Sequence, residues 1–509
     1  MSSTGEYIRQ FLTYNEGRPL IFTEGGFWLF FAILLLGYSL VYKTRYLRSL
    51  YLLAFSLFFY FKSSGLFFIL LIFSTVCDYT LGRLIHSSKT HWKRKGLLAI
   101  SVFINLAVLS FFKYSYFFTD SVNSLAGTDL QPFNFLSHWS NKFFGTSLDV
   151  AAIVLPVGIS FFTFQTISYT VDIFRGKVDP VNNIVDFGFY VSFFPQLVAG
   201  PIVRAAEFIP QLYKKYSLTQ REFGYALFLI LNGMIKKVVI SDYISINFVD
   251  RIFASPLSYS GFENLLATYG YSVQIYCDFS GYTDMAIGVA LLLGFRLPIN
   301  FNSPYKAVNI TDFWHRWHIS LSSWLRDYLY IPLGGNRKGT TRTYANLLVT
   351  MLLGGLWHGA NIRFVIWGGI HGISLAIHKV WTGFFPSANG PSPLWKRAVS
   401  AVITFHVVCL SWVFFRAESL SKAWEMLIQM GTRFGWQSFG AIVGSYLPVI
   451  GLAGIALAIH WLPVSWKEHY RGAFINTPLW LKLIITLLVA LVIFQFKTAD
   501  LQPFIYFRF

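Results

Sequence analysis

Thirteen apolar runs, near residues 27–42, 50–61, 65–79, 97–118, 151–171, 185–203, 222–241, 265–295, 343–357, 362–380, 396–415, 440–461 and 480–497, leave this chain little choice of environment. A crossing of the ~30 Å hydrocarbon layer takes about 20 residues, so the runs serve roughly ten to thirteen spans. Charged residues make up only 13% of the 509, against about a quarter in soluble domains. A soluble globule is excluded. The chain reads as one all-α polytopic membrane domain over 1–509, its first run retained as a span because no basic n-region and cleavage site precede it. The excess of 41 basic over 23 acidic residues would suggest nucleic acid in a soluble chain. Here Lys43, Arg45 and Arg48, and then Arg83, Lys89, Lys93, Arg94 and Lys95, read as cytoplasmic loops, and no nucleic-acid partner is expected. Cys77, Cys277 and Cys409 stand singly and imply neither a disulfide nor a thiolate metal site.

Three irregularities interrupt the pattern. Runs 50–61 and 65–79 part at Lys62–Gly65 and are short for spans, which predicts a thinned bilayer or a re-entrant hairpin. The polar stretch 119–150 reads as an external or interfacial loop, and the Pro/Gly-broken Phe193–Pro201 as structural. The segment 296–342 mixes aromatics with His315, Arg316, His318, Arg326 and Asp327, so it lines a polar cavity or lies at the interface as an amphipathic helix.

His315, His318, His358 and His371 cluster around that segment. His358 ends an apolar run in LLGGLWHGA, where Gly354, Gly355 and Gly359 would let backbone or a substrate chain approach. An ionisable residue at that depth is a functional candidate, and imidazole is the usual general base at neutral pH. The plain alternative is a histidine hydrogen-bonded between helices; a metal held by His315, His318 and His358 lacks an obvious fourth ligand. Asp278 and Asp284 need partners, a cavity or an ion pair with Lys or Arg, and Gly281 between them hints at a helix break. No GxSxG, HExxH, GxxxxGK[ST] or GxGxxG stands in context.

Together, FFPQLVAGP (193–201), the Asp278–Gly288 stretch, NFNSPY (300–305), FWHRWHISLS (313–322), RDYLYIPLGGN (326–336) and GLWHGA (355–360) resemble the membrane-bound O-acyltransferases, in the bacterial branch of alginate O-acetylation and teichoic-acid D-alanylation. The resemblance implies a ring of tilted helices with re-entrant segments around a thin, funnelled centre pierced by a tunnel, in a bacterial cytoplasmic (inner) membrane. It maps the family's two histidines to His358 and His318, and departs from the pattern at His315, where a basic residue is expected. His358 would then be the base that takes a proton from an attacking hydroxyl and returns it to the leaving thiolate, while His318 orients the acyl carbonyl or stabilises the oxyanion. Acetyl-CoA is the implied donor, a substrate and not a bound cofactor; no metal is expected. Arg326, Arg337, Lys338 and Arg342 are candidates to attract the phosphates of coenzyme A or an acidic acyl carrier, if they do not merely solvate a loop.

The aromatic tail 498–509 resembles the small partner peptide of the D-alanylation complex, here fused, with Tyr506 as an acyl relay; an interfacial anchor is the plain alternative. The function implied is O-acetylation of an exported polysaccharide or wall glycan with an extracytoplasmic SGNH-type partner. The alternatives are D-alanyl transfer from a carrier protein to teichoic acid, and a proton-relaying secondary transporter.

Overall fold

The computed structural model describes residues 12–15, 19–145, 149–385, 393–496 and 504, and all regular structure among them is helical. Among the described residues, five helical stretches are long and apolar enough to cross a bilayer: Arg45–Ser87, His91–Ala126, Gln220–Ala254, Leu394–Arg416 and Leu479–Phe496. A sixth arises if Trp436–Ser445 and Leu447–Trp461, bent by 82°, count as one. Fewer helices qualify than there are apolar runs because several runs form helices wrapped by protein, where Ser, Thr, Gln and Asp replace the outward-facing apolar residues that lipid would demand.

Contacts divide the chain into two compact units, Met1–Tyr216 with Gly359–Asn361, and Ser217–His358 with Ile362–Phe509. The first contains α1 (Gly25–Val41), α2 (Arg45–Ser64), α3 (Phe68–Ser87), α4 (His91–Leu109), α5 (Ile159–Phe174) and α6 (Ile184–Ser192). α2 and α3 break at Gly65, as its position between two apolar runs suggests; its φ of 60° suits a residue without Cβ. Each is 20 residues long, about 30 Å, because the helices extend past the apolar runs over Arg45, Arg48 and Arg83. Short runs here do not mean short helices. A buried network ties α3, α4 and α5: Asp78 accepts from Ser101 at 2.7 Å and Asn105 at 2.8 Å, and Asn105 accepts from Thr166 at 2.8 Å. The stretch read as a loop over 119–150 holds helices Ser115–Ala126 and Phe135–Phe144 instead, the second capped by Asn134.

The second unit contains α7 (Gln220–Met234), α8 (Gly261–Leu292), α9 (Ile310–Arg316), α10 (Ile319–Leu325), α11 (Thr340–His358), α12 (Ile362–Phe384), α13 (Leu394–Arg416), α14 (Leu447–Trp461), α15 (Val464–Asn476) and α16 (Leu479–Phe496). Capping boxes start α7 at Thr219/Glu222 and α8 at Ser260/Glu263. α8 runs unbroken through Gly281, contrary to the expected break. The glycine serves packing: a Cβ there would stand 2.8 Å from the carbonyl oxygen of Gly233, and one on Gly233 would stand 2.5 Å from that of Gly281. α7 and α8 thus touch backbone to backbone, as small residues allow in membranes. α16 leaves Leu483, Leu487, Leu491 and Phe494 exposed, a surface suited to lipid. Its one charge, Lys482, is buried and donates to the carbonyls of Ile475 and Thr477 at the end of α15.

Candidate active site

The irregular stretch after α8 is fastened onto the α9–α10 junction. Asn302 N donates to Arg316 O at 2.9 Å and Ile319 N to Asn300 O at 3.0 Å. α9 is short for a local reason. Asn309 caps its start, Asp312 pairs with Arg316 at 2.7 Å, and its C-cap, Trp317, is already extended. The next residue is His318 at φ 43°, ψ 56°, a left-handed conformation that a non-glycine residue adopts at a cost of order 1–3 kcal/mol and that clusters at working sites. Asn300 holds it there. Its side-chain oxygen accepts from Ser320 N at 3.1 Å and Ser320 Oγ at 2.9 Å, and lies 3.2 Å from His318 Nδ1. Two hydrogen-bond donors fix that atom as the oxygen, so Nδ1 must carry the imidazole proton and Nε2 is the basic nitrogen.

His358 is the last residue of α11 and is 3% exposed. The glycines before it bring helices together and do not leave space for a chain. A Cβ on Gly355 would meet the Phe364 carbonyl oxygen at 2.1 Å, one on Gly368 the Met351 carbonyl oxygen at 2.2 Å, and one on Gly354 the Leu325 side chain at 3.1 Å. The imidazole sits among ring edges, with centroids 5.1 Å from Trp367, 5.3 Å from Phe415 and 5.0 Å from Trp357. Trp357 also packs on His318 at 6.3 Å, so one indole neighbours both imidazoles. His371 is spoken for. Ser411 donates its hydroxyl proton to Val408 O at 2.7 Å and accepts from His371 Nε2 at 3.0 Å, and the ring stacks on Phe313.

Asp278 and Asp284 are both ion-paired. Consecutive lysines in the π-helical turn Ile235–Asp242 reach them, Lys237 to Asp278 at 2.5 Å and Lys236 to Asp284 at 2.8 Å. Lys237 also binds Asp242 at 2.7 Å, and Lys236 lies over the Tyr276 ring at 5.7 Å. His315 is exposed while His318 is buried, so the three-histidine metal grouping does not assemble. Arg326 is exposed and pairs with its neighbour Asp327 at 2.7 Å; Arg337, Lys338 and Arg342 are exposed. Sixteen residues of helix, about 24 Å, separate Arg342 from His358. Tyr506 lies outside the described residues. Phe504 is described, buried at 2% exposure between Tyr282, 4.8 Å away, and Phe279, 5.5 Å away. Phe279 in turn meets the His318 imidazole edge-on at 4.7 Å. The sequence reading missed Asn300 as the residue that orients His318, although it stands in NFNSPY; it called for an ion pair at Asp278 and Asp284, but no local signature named Lys236 and Lys237 as the partners.

Residues 179–421 match the MBOAT, membrane-bound O-acyltransferase family. A probable alginate O-acetylase of Pseudomonas aeruginosa is 40% identical over 82% of this chain and 76% of its own length; that of Pseudomonas putida is 36% identical over 96% and 100%. The peptidoglycan O-acetyltransferase of Helicobacter pylori is 37% identical over 77% and 76%.

Proposed function

This chain belongs to the membrane-bound O-acyltransferase family and is an O-acyltransferase, and we propose that it moves acetyl groups from a cytosolic thioester, acetyl-CoA, to a polysaccharide or wall glycan beyond the inner membrane. The observation that carries this reading is the pair of buried imidazoles, His318 and His358, set on one indole in a helix-broken, otherwise aromatic interior. Such burial shields a proton exchange from bulk water. The sidedness follows from charge. α11 starts beside Arg337, Lys338 and Arg342 and ends at His358, and α12 returns antiparallel to it. At the His358 end Arg416 is neutralised by Asp250 and Arg363 caps the carbonyls of Phe415 and Ala417. The uncompensated basic end is then cytosolic, and the histidine sits toward the far face.

In the transfer, the acceptor oxygen bonds to the acyl carbon and the carbon–sulfur bond breaks. His358 takes the hydroxyl proton and delivers it to the departing thiolate. The tautomer set by Asn300 gives His318 a different part from oxyanion donor: its Nε2 accepts, so it orients the attacking hydroxyl. Phe504 packs on the ring that touches His318, and Tyr506, two residues further on, is the first acceptor in this reading. An extracytoplasmic SGNH-type partner would receive the acetyl group next.

The test is acetyl transfer by purified protein in bilayer nanodiscs supplied with acetyl-CoA. Thiol release and an acetylated C-terminal peptide are expected from the wild type, thiol release falls by about 10²–10⁴ in His358→Ala, and no peptide acetylation occurs in Tyr506→Phe. Wild-type rates in His358→Ala would refute the base; peptide acetylation unchanged in Tyr506→Phe would refute the relay.

A further inference from the structure

Where α14 gives way to α15, two lysines from distant parts of the chain converge. Lys306 Nζ donates to Leu462 O at 2.7 Å; Lys467 Nζ donates to His460 O at 2.7 Å and to Ser303 Oγ at 2.9 Å. Ser303 takes a left-handed conformation, φ 46°, at the turn that presents Lys306. Both lysines are half-buried, and among the described residues no carboxylate lies within ion-pair distance of either. Arg316 acts on Lys306, and Lys306 and Lys236 act on Lys467, each as a like charge. Burial first, and then those neighbours, push Lys467 down to about 8.

Beneath them His460 is 4% exposed, and its Nε2 accepts from Tyr305 N at 3.1 Å. A neutral ring therefore has its proton on Nδ1, which is buried and makes no well-formed hydrogen bond, although the Ser303 backbone acts on the ring. Two ammonium groups have six N–H donors between them, and the three contacts above leave the rest available. Capping the end of α14 needs one cation, not two repelling ones. The acceptors at this corner are neutral carbonyls, a hydroxyl and a ring nitrogen, and among the described residues no carboxylate balances its two ammonium groups.

The location points inward. α15 has the interfacial mixture Trp466, Glu468, Tyr470 and Arg471. From the corner the path leads to Tyr276, 4.7 Å from His460, and to the Lys236–Asp284 pair over it, whose side chains keep 21% and 20% of their surface although Lys236 sits in the π-helical turn after α7 and Asp284 within α8. Thr311, in the first turn of α9 five residues beyond Lys306, reaches His378 near the end of α12 remote from His358, which puts the corner at the basic end of the unit.

We infer that Lys306, Lys467 and His460 Nδ1 form a subsite for the phosphate ester of the thioester donor, holding it at the cytosolic mouth while its thioester arm extends inward past Tyr276. This rests on the thioester reading above. The corner replaces the exposed Arg326, Arg337, Lys338 and Arg342 as the donor's anchor. Lysine suits phosphate as a point charge, and two sources offer it: the nucleotide of coenzyme A and the pantetheine arm of a carrier.

The experiment is equilibrium binding to the full chain in phosphatidylcholine nanodiscs, with 3′,5′-ADP and 4′-phosphopantetheine as separate probes. The wild type should hold at least one probe, and which one identifies the source. Lys306→Gln with Lys467→Gln should weaken it about tenfold or more, the worth of one charge-assisted contact, while the protein stays folded, as a retained cooperative unfolding transition shows. The double arginine variant should retain it. Equal binding by the glutamine pair leaves the lysines as helix caps and overturns the subsite, as does a wild type that binds neither probe. Phosphatidylglycerol that displaces both probes, with neither bound more tightly by wild type than by the glutamine pair, assigns the corner to a lipid headgroup and also overturns it. Because the readout is binding, acetyl transfer without probe binding defeats the subsite alone, and probe binding without transfer defeats the reading of the activity alone.

Discussion

The side-chain oxygen of Asn300 stands 3.2 Å from Nδ1 of His318 and accepts two further hydrogen bonds from Ser320. One atom thereby fixes an imidazole's tautomer, its ring plane and the left-handed backbone beneath it. Asn300→Ala should keep the helices and lower acetyl transfer about a hundredfold, the scale of a misplaced reacting group, with a smaller loss in Ser320→Ala. Steady-state rates of the two variants in nanodiscs decide it; parity between them would mean that the oxygen is not the organising atom.

Gly355 tests the helix contact behind His358. A methyl at this position would collide with the Phe364 carbonyl and force α11 from α12, at about 1–3 kcal/mol for overpacking. Gly355→Ala should therefore lose most activity while remaining folded. Gly369→Ala is the control: its Cβ would meet only the Leu352 side chain at 3.5 Å, and activity should stay near wild type. Thermal unfolding and acetyl transfer, measured side by side, separate the two effects.

The buried charges of α8 and of the π-helical turn after α7 should respond asymmetrically. Lys237 serves Asp278 and Asp242 together, with 5% of its side chain exposed. Lys237→Met strands two carboxylates and should cost about 3–5 kcal/mol, whereas Asp278→Asn leaves the lysine one partner and should cost less. Unfolding midpoints in detergent that fall in the reverse order would contradict this.

Lys467 gives a pH signature. Its pKa is lowered to about 8 by burial and by Lys306 and Lys236, so it is charged below that pH and discharges as pH rises through it. The apparent KM for donor should climb above about pH 8, an effect absent below neutrality. In Lys467→Arg the climb should vanish, because guanidinium stays protonated throughout. KM profiles that coincide for wild type and arginine variant would exclude this lysine as the titrating group.

Much of this was legible in the chain. Apolar runs gave the helical membrane architecture, and the unpaired look of Asp278 and Asp284 among aromatics forecast the lysines that meet them. His358 stood out through its glycines, though Gly355 packs a helix and does not admit a substrate. What stayed hidden has a common cause. Gly281 looked like a helix breaker because glycine's local propensity is poor, while its use depends on Gly233, 48 positions earlier. Lys306 and Lys467, likewise far apart in sequence, become a site only when α14 and α15 turn beside Ser303. Runs 50–61 and 65–79 seemed short because polar residues at helix ends do not register as apolar.

The glycine contact between α7 and α8 also bears on how the protein is made. Lys236, Lys237 and Asp242 lie within one helical stretch, and Asp278 and Asp284 in the other. Offered singly to a bilayer, each such residue at a helix centre adds about 2.5–3.5 kcal/mol against insertion. Offered together, the lysines arrive already facing their carboxylates, and the glycines let the two backbones close before lipid can intervene. The hairpin, and not the single helix, is then the unit that the translocation machinery must release, so residues 220–292 should leave it as one piece.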